Sequence, residues 1–575
     1  MFSYSTATVP ALPEVGNAVS VDLMLQNISR ILPLAALILP VTAAEWTPLF
    51  NGKDLGGWAT VLQDKEPGKD PDHHVQVRDG AIHMYADTDS AAKVPFGVIV
   101  HDKTFSRFHL SLEYRWGEKK FAPRKGDIRD AGLIYHASNT GKIWPDSVEY
   151  QIQEGDTGDI VFLPKAGLTW MRPDPENAPQ GQGEPGMLPE DGGFPRNFGR
   201  TEFPRGFGYI GRFPEWDTLG GWNRVELIVH ADESAEHLVN GKTKARIASL
   251  RDKNGAPVSE GKIALQLEGA EILYRDVKIR ELDVPLKADR GVVSLSAVNG
   301  QKTRNATLVV RNPSSAAIAT NLAITGSGLH RFKATAADSV IPPQGSTTIT
   351  VEFSASRTYG RFSAGLQIGG KDDGTFVILQ GMSLAAFEGK NEPPLQSIVH
   401  ALGIPLDVGG TKLELDTKEA VIGQSAAIPA FVAAGGGKIR VTPLARFSPK
   451  GATPFGIVLS GESELLEKGR LADSTDAVPD AHQCLFPPLE GGAAFVEFDA
   501  PGKPFAFYMK GHKFDSFSDP AIKTAAAIPH TGRIYPVTFY EGREMKNSWL
   551  VGFEEAANGD YQDALFLIEN VVPAK

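Results

Sequence analysis

The chain has 575 residues, of which 42% are hydrophobic and 22% charged, an ordinary globular composition too long for one core and sufficient for about three domains. Its net charge of −11 argues against non-specific nucleic-acid binding, which needs a basic face to displace counterions from phosphates. Its single cysteine, Cys484, excludes an intramolecular disulfide and any thiolate cluster for zinc or iron–sulfur, and reads as a small buried apolar residue.

Residues 1–44 read as an N-terminal extension and signal peptide. The apolar run ILPLAALILPV spans 31–41, about half of what a bilayer crossing requires. Arg30 precedes it and Thr42, Ala43 and Ala44 follow, the layout of an export signal cleaved near Ala44, with Met24 as an alternative start. The expectation is a secreted, periplasmic or extracellular protein without a membrane span.

From Trp46 to Leu282, short runs alternate apolar and polar residues: HLSLEYRW (109–116), AGLIYHA (131–137), VEYQIQ (148–153), RVELIVHA (224–231), KIALQLEG (262–269) and ILYRDVKIREL (272–282). A period of two marks half-buried strands. The DG and NG dipeptides in VRDGAIHM (77–84) and VNGKTKA (239–245) favour tight hairpins. Periodicity is lost between Pro164 and Trp222, which reads as a long loop region, and Gly117–Asp130 reads as a second insertion; both are placed to wall a cleft. Residues 286–385 repeat the rhythm of an immunoglobulin-like sandwich. Phe387–Pro394 reads as a linker. Residues 395–575 combine one short helix, Leu395–Leu402, with strands of a third sandwich. The fold class is all-β.

The strand 148–153 places Glu149, Gln151 and Gln153 on one face and Val148, Tyr150 and Ile152 on the other. Gln266 and Glu268 stand in the same way against Leu265 and Leu267, and Glu113 and Arg115 do so in a third strand. An exposed sheet face alternates likewise, but a set rich in carboxylates and amides suits sugar hydroxyls, and a shared polar hollow is the expectation. His136 is a candidate general base because imidazole titrates near neutrality. The acidic turn EGDTGD (154–159) has the composition of a hard-cation site without EF-hand spacing. No GxSxG, GxxxxGK[ST] or HExxH motif occurs, which leaves serine hydrolase, P-loop and zincin readings without support.

LFNGKDLGGW (49–58), LEYRWGEKKFAPR (112–124), RDAGLIYH (129–136), VEYQIQEGDTGD (148–159), GGWNRVELIV (220–229) and KIALQLEGAEILYRDVKIREL (262–282) together resemble the 3-keto-disaccharide (3-keto-glycoside) hydrolase domain over about residues 45–283. The resemblance implies a concanavalin-like jelly-roll sandwich that acts on carbohydrate. Ala131 stands where that family usually has serine. The implied chemistry is cleavage of a glycoside oxidised at C3; sheet face and charge type, and not the resemblance, single out Glu149 or His136 as base and Arg115 on the enolate oxygen. Glu113, Gln151, Gln153, Gln266, Glu268 and Trp222 are the candidates for holding substrate. The alternative is a carbohydrate-binding or adhesion protein without catalysis, since fold does not fix function. SWLVGFEEAANGDYQDALFLIENV (548–571) resembles the acidic end of bacterial surface sandwich domains, which makes Asn558, Asp560 and Asp563 candidate calcium ligands.

Overall fold

The computed structural model describes residues 45–173, 183–198, 208–301, 304–541 and 543–575; the apolar run at 31–41 lies outside them. The architecture is all-β, and Leu395–Ala401 is the one α-helix among the described residues. No helix among them is long and apolar enough to cross a membrane.

The strands of residues 47–281 form a ten-stranded and an eight-stranded sheet. The larger is centred on Arg107–Lys120, which pairs antiparallel with Asn223–His230 on one side and Ala270–Glu281 on the other. The smaller runs, edge to edge, through Glu184–Pro185, Gly208–Gly211, Ile160–Leu163, Asp146–Gln153, Asp130–Ser138, Gly261–Leu267, Gly97–Phe105 and Trp58–Leu62. Successive strands change sheet at Phe105–Arg107 and again around Gly269, so the chain winds around one core.

That core is built by alternation. Leu110, Leu112, Tyr114 and Trp116 of the larger sheet meet Leu133, Tyr135, Val148, Tyr150, Ile152, Leu265 and Leu267 of the smaller one in a single apolar cluster. The tyrosine hydroxyls buried there are satisfied: Tyr150 donates to the Leu238 carbonyl at 2.8 Å and Tyr274 to that of Gln266 at 3.1 Å. Because side chains alternate across a strand, packing this face turns Glu149, Gln151, Gln153, Asp130 and Gln266 to the opposite side of the smaller sheet.

Two expectations about loops are corrected. Within Pro164–Trp222, Ala166–Met171 pairs with Phe194–Phe198 in the larger sheet, and Gly208–Gly211 pairs with Ile160–Leu163 in the smaller. These segments lie at or next to the sheet edges and carry many Gly and Pro residues, so their alternation is too short to read from sequence. Gly117–Lys120 likewise continues the strand begun at Arg107.

Residues 287–384 form two four-stranded sheets and a two-stranded one around Leu308, Val310, Val351, Leu366 and Leu379. Residues 431–573 form two six-stranded sheets around Phe431, Phe455, Phe507 and Phe566. A further cluster joins Met382 and Leu384 to Leu395, Ile398, Leu550 and Leu565, so the short helix sits in an apolar seam. The segment Phe387–Pro394 is no free linker: Glu392 accepts from Gln483 Nε2 at 2.8 Å and from Gln562 Nε2 at 3.2 Å. Cys484 is fully buried, as its composition implied, and burial pushes its thiol up to about 12.

Leu112 is fully buried between the first two sheets. Leu112→Ala is expected to lower stability by about 2–5 kcal/mol through lost burial and a residual cavity, read as a fall in the thermal unfolding midpoint.

Candidate functional site

The outward face of the eight-stranded sheet has an apolar and a polar half. Val61, Val98, Val100, Ile134 and Ala264 form the apolar half. In the polar half, Gly132 lies opposite Gln151, Asp130 opposite Gln153, and Ile134 opposite Glu149. Glu149, Gln151, Gln153, Gln266 and Glu268 are all buried.

Gly132 is the centre of this floor. A Cβ built there would collide with both Gln266 Oε1 and Glu149 Oε1, so the missing side chain lets these two groups converge from the strands on either side. The "G" of RDAGLIYH is therefore a steric requirement of the site. Ala131 points the other way, into the sandwich core. The exchange of serine for alanine at 131 consequently removes no hydroxyl from this face.

Three carboxyl groups share the polar half with one cation. Arg124 Nη1 lies 2.8 Å from Glu268 Oε2 and also pairs with Asp130. Trp144 Nε1 donates to Glu268 Oε1 at 3.2 Å. Burial raises the Glu268 carboxyl from its ordinary 4.5 to about 7, assisted by the charge of Asp130 and opposed by Arg124. Burial, with the charges of Glu268 and Asp130, raises Glu149 well above the usual carboxylate range. Asp130 is raised by burial against the pull of Arg124. One guanidinium cannot neutralise three carboxylates, so burial and mutual repulsion raise all three carboxyls together.

The wall is aromatic. Trp144 is 45% exposed, an unusual state for so large an apolar side chain, and its ring lies 6.1 Å from that of Phe96. The Arg124 guanidinium stands over Phe96 at 5.3 Å. On this floor Gln151 Oε1 and Gln153 Oε1 are buried without a hydrogen-bond partner, and the buried Gln266 amide stands against the Glu149 carboxyl. Buried amides without partners are rare in folded proteins and costly; here they line the same surface as the carboxyl cluster. Arg124, Asp130, Trp144 and Phe96 complete the candidate site beyond the residues singled out from sequence. Asp130 and Arg124 lie inside the motifs noted above, whereas Trp144 sits in a loop with no periodic signal.

Several expected members lie elsewhere. Glu113 and Arg115 belong to the ten-stranded sheet, whose strand Arg107–Lys120 turns Leu112, Tyr114 and Trp116 to the core and these two outward, away from the smaller sheet. There Arg115 stands 4.9 Å and Arg275 3.8 Å over the Trp222 ring, and Glu113 bonds Arg275 and Arg224. The expected single hollow therefore divides: Glu149, Gln151, Gln153, Gln266 and Glu268 share one face, and Glu113, Arg115 and Trp222 occupy the far side of the sandwich. Alternation predicts which residues share a face of one strand, not which of two sheets carries that strand.

His136 is also displaced. The ladder shifts register between Tyr135 and Ser138, and His136 has a positive φ of 49°. This bulge breaks the alternation and turns the imidazole inward, beside Phe108 and Tyr135, where Nε2 donates to the Ala231 carbonyl at 3.1 Å. Burial holds its pKa down to about 4. It is a core histidine and not the base of this site.

The turn 154–159 is an internal polar knot. Asp159 lies 3.4 Å from buried Lys244 Nζ and accepts from Arg212 N at 3.0 Å, while Thr157 Oγ1 donates to Asp217 at 3.0 Å. At the other end of the chain Asn558 Nδ2 donates to Asp560 Oδ2 at 2.7 Å, and Glu554, which the sequence reading did not name, joins Asp560 and Asp563 in one cluster.

Residues 45–280 match the family described as "3-keto-alpha-glucoside-1,2-lyase-like domain", less than half of the chain. No curated protein matches the chain. Among solved structures, a candidate glycosyl hydrolase from Parabacteroides distasonis ATCC 8503 is 20% identical with a TM-score of 0.25, covering 41% of this chain and 94% of that one. The carbohydrate-binding module CBM66 from Bacillus subtilis is 9% identical with a TM-score of 0.23, covering 39% and 96%. The Bacillus licheniformis beta-glucanase is 10% identical with a TM-score of 0.24, covering 42% and 100%.

The Glu268 shift has a signed consequence. A carboxyl raised from 4.5 to about 7 on folding contributes stability that is complete below pH ~4.5 and lost as pH rises through ~7. Glu268→Gln is therefore expected to flatten the fall of the unfolding midpoint between about pH 4.5 and 7.5 relative to the parent protein, measured by thermal melts across that range.

Proposed function

We propose that residues 45–280 form a carbohydrate-acting site, and that its reaction is cleavage of a glycoside carrying a ketone at C3. The observation that carries this reading is the convergence of Glu149 and the Gln266 amide above Gly132, in a carboxyl cluster walled by Trp144. The description of the family matched by this segment names a 3-keto-alpha-glucoside and a 1,2-lyase, which supports the elimination step of this reading.

A C3 ketone acidifies the proton at C2. A carboxylate removes that proton, the C2–H electron pair becomes the C1–C2 double bond, and the C1–O bond breaks. The departing oxygen takes the released pair and a proton. Water then adds at C1 while the proton returns to C2, so the net result is hydrolysis. Glu149, whose carboxyl is raised by burial and by the charges of Glu268 and Asp130, is the proposed proton acceptor: its ionised form takes the C2 proton and then returns it. Arg124, and not Arg115, is the cation available to the enolate oxygen that develops at C3. Gln151, Gln153 and Gln266 hold ring hydroxyls, and Trp144 covers the apolar face of the sugar. Export of the protein, read from residues 31–41, is part of the same proposal.

The test is aglycone release from a 3-keto-glucoside by the full chain. Glu149→Gln is expected to lower kcat by about 10²–10⁴-fold, the usual worth of a positioned proton-transfer group, while Arg115→Gln on the far face leaves the rate within about threefold of the parent. Sugar binding that survives Glu149→Gln, with no turnover by either protein, would replace the enzyme by a carbohydrate-binding module.

A further inference from the structure

The last pair of sheets holds a second buried acidic cluster that the proposed reaction does not use. The loop between strands Ser548–Phe553 and Ala564–Glu569 carries it. Glu554, Asp560 and Asp563 are buried, and one oxygen from each lies within 4.8 Å of the other two. Oxygens bound to a single calcium ion at about 2.3–2.6 Å lie at most ~5 Å apart, so the separation suits one ion between them.

Two further observations point inward. Gln562 is fully buried, and its Nε2 donates to Asp560 Oδ2 at 3.3 Å and Glu392 Oε2 at 3.2 Å, yet its Oε1 has no partner. Asp560 Oδ1 is likewise buried without a partner. The backbone already shapes the loop around these groups: Glu554 Oε2 accepts from Gly559 N at 2.8 Å and Asp560 N at 3.0 Å, and Asp563 Oδ2 from Glu555 N at 2.6 Å.

We propose that this loop is a calcium site in which Glu554, Asp560 and Asp563 supply carboxylate oxygens and Gln562 Oε1 a neutral one. An all-oxygen donor set is hard and suits calcium over zinc or copper, and an irregular loop tolerates calcium's variable geometry better than magnesium's strict octahedron. Glu392 bonds both Gln562 and Gln483 beside the cluster. A bound ion would thereby fasten the 554–563 loop to the segment preceding the short helix.

The experiment uses the full chain stripped of metal and titrated with terbium, excited through protein aromatic side chains such as Tyr561, with calcium and magnesium as competitors. The expected result is saturable emission displaced by calcium at concentrations at least tenfold below those needed for magnesium. Hydrogen exchange at 554–563 is expected to slow on calcium addition. Asp560→Asn and Asp563→Asn are each expected to weaken calcium binding at least tenfold. Absence of calcium-dependent protection of this loop in the parent protein at millimolar calcium would overturn the proposal and leave a proton-sharing cluster. So would undiminished calcium affinity in a folded Asp560→Asn protein.

Discussion

The carboxyl groups of Asp130, Glu149 and Glu268 lie in a buried hollow with Arg124 as their cation, and this imbalance governs the chemistry of the first sandwich. Burying a carboxylate without compensation costs so much that the group normally takes up a proton instead. Arg124 relieves Asp130 and Glu268 by direct pairing, whereas Glu149 has no cation paired with it among the described residues. For Glu268 alone, the shift from 4.5 to about 7 corresponds to roughly 3 kcal/mol against the ionised form. The crowding of three carboxyls around one cation is thus built into the architecture. A glycine permits it, because any side chain at 132 would separate Glu149 from Gln266.

The rest of the sandwich exists, physically, to hold this arrangement rigid. Each outward polar residue of the floor alternates with an inward apolar one locked in the core: Glu149 between Val148 and Tyr150, Gln266 between Leu265 and Leu267. The core residues are held by burial and by satisfied tyrosine hydroxyls. Rotating a strand to relieve the carboxyl crowding would expose its apolar face to water, at about 25 cal/mol per Å². Electrostatic strain is therefore sustained by hydrophobic packing, the usual bargain of a functional surface.

Much of this was readable in the sequence, and the failures have definite causes. The period of two in VEYQIQ and KIALQLEG correctly sorted Glu149, Gln151, Gln153 and Gln266 from the core, and the alternation in HLSLEYRW correctly put Glu113 and Arg115 on a non-core face. It had no means of telling that the third strand belongs to the opposite sheet, because pairing is set by contacts far apart in the chain. His136 failed for a local reason: a bulge inserts one residue, and every period-two inference beyond it changes sign. Trp144 carried no signal, since a loop tryptophan acquires meaning only when the fold brings Glu268 to its indole nitrogen.

The two acidic clusters show what decides the fate of a buried carboxyl group. In the first, a guanidinium, an indole N–H and free amides surround the carboxyls, which favours a site where protons and hydroxyl groups exchange. In the second, backbone N–H groups of a tight loop already saturate much of Glu554, and the remaining free atoms are all oxygens: Asp560 Oδ1 and Gln562 Oε1. The clusters differ in the cation they hold: Arg124 pairs with two carboxyls of the first, whereas no side-chain cation is ion-paired with Glu554, Asp560 or Asp563 among the described residues. On the two proposals made above, the same residue types, Glu, Asp and Gln, serve a sugar in one sandwich and a hard metal ion in the other, according to the cation each cluster already holds.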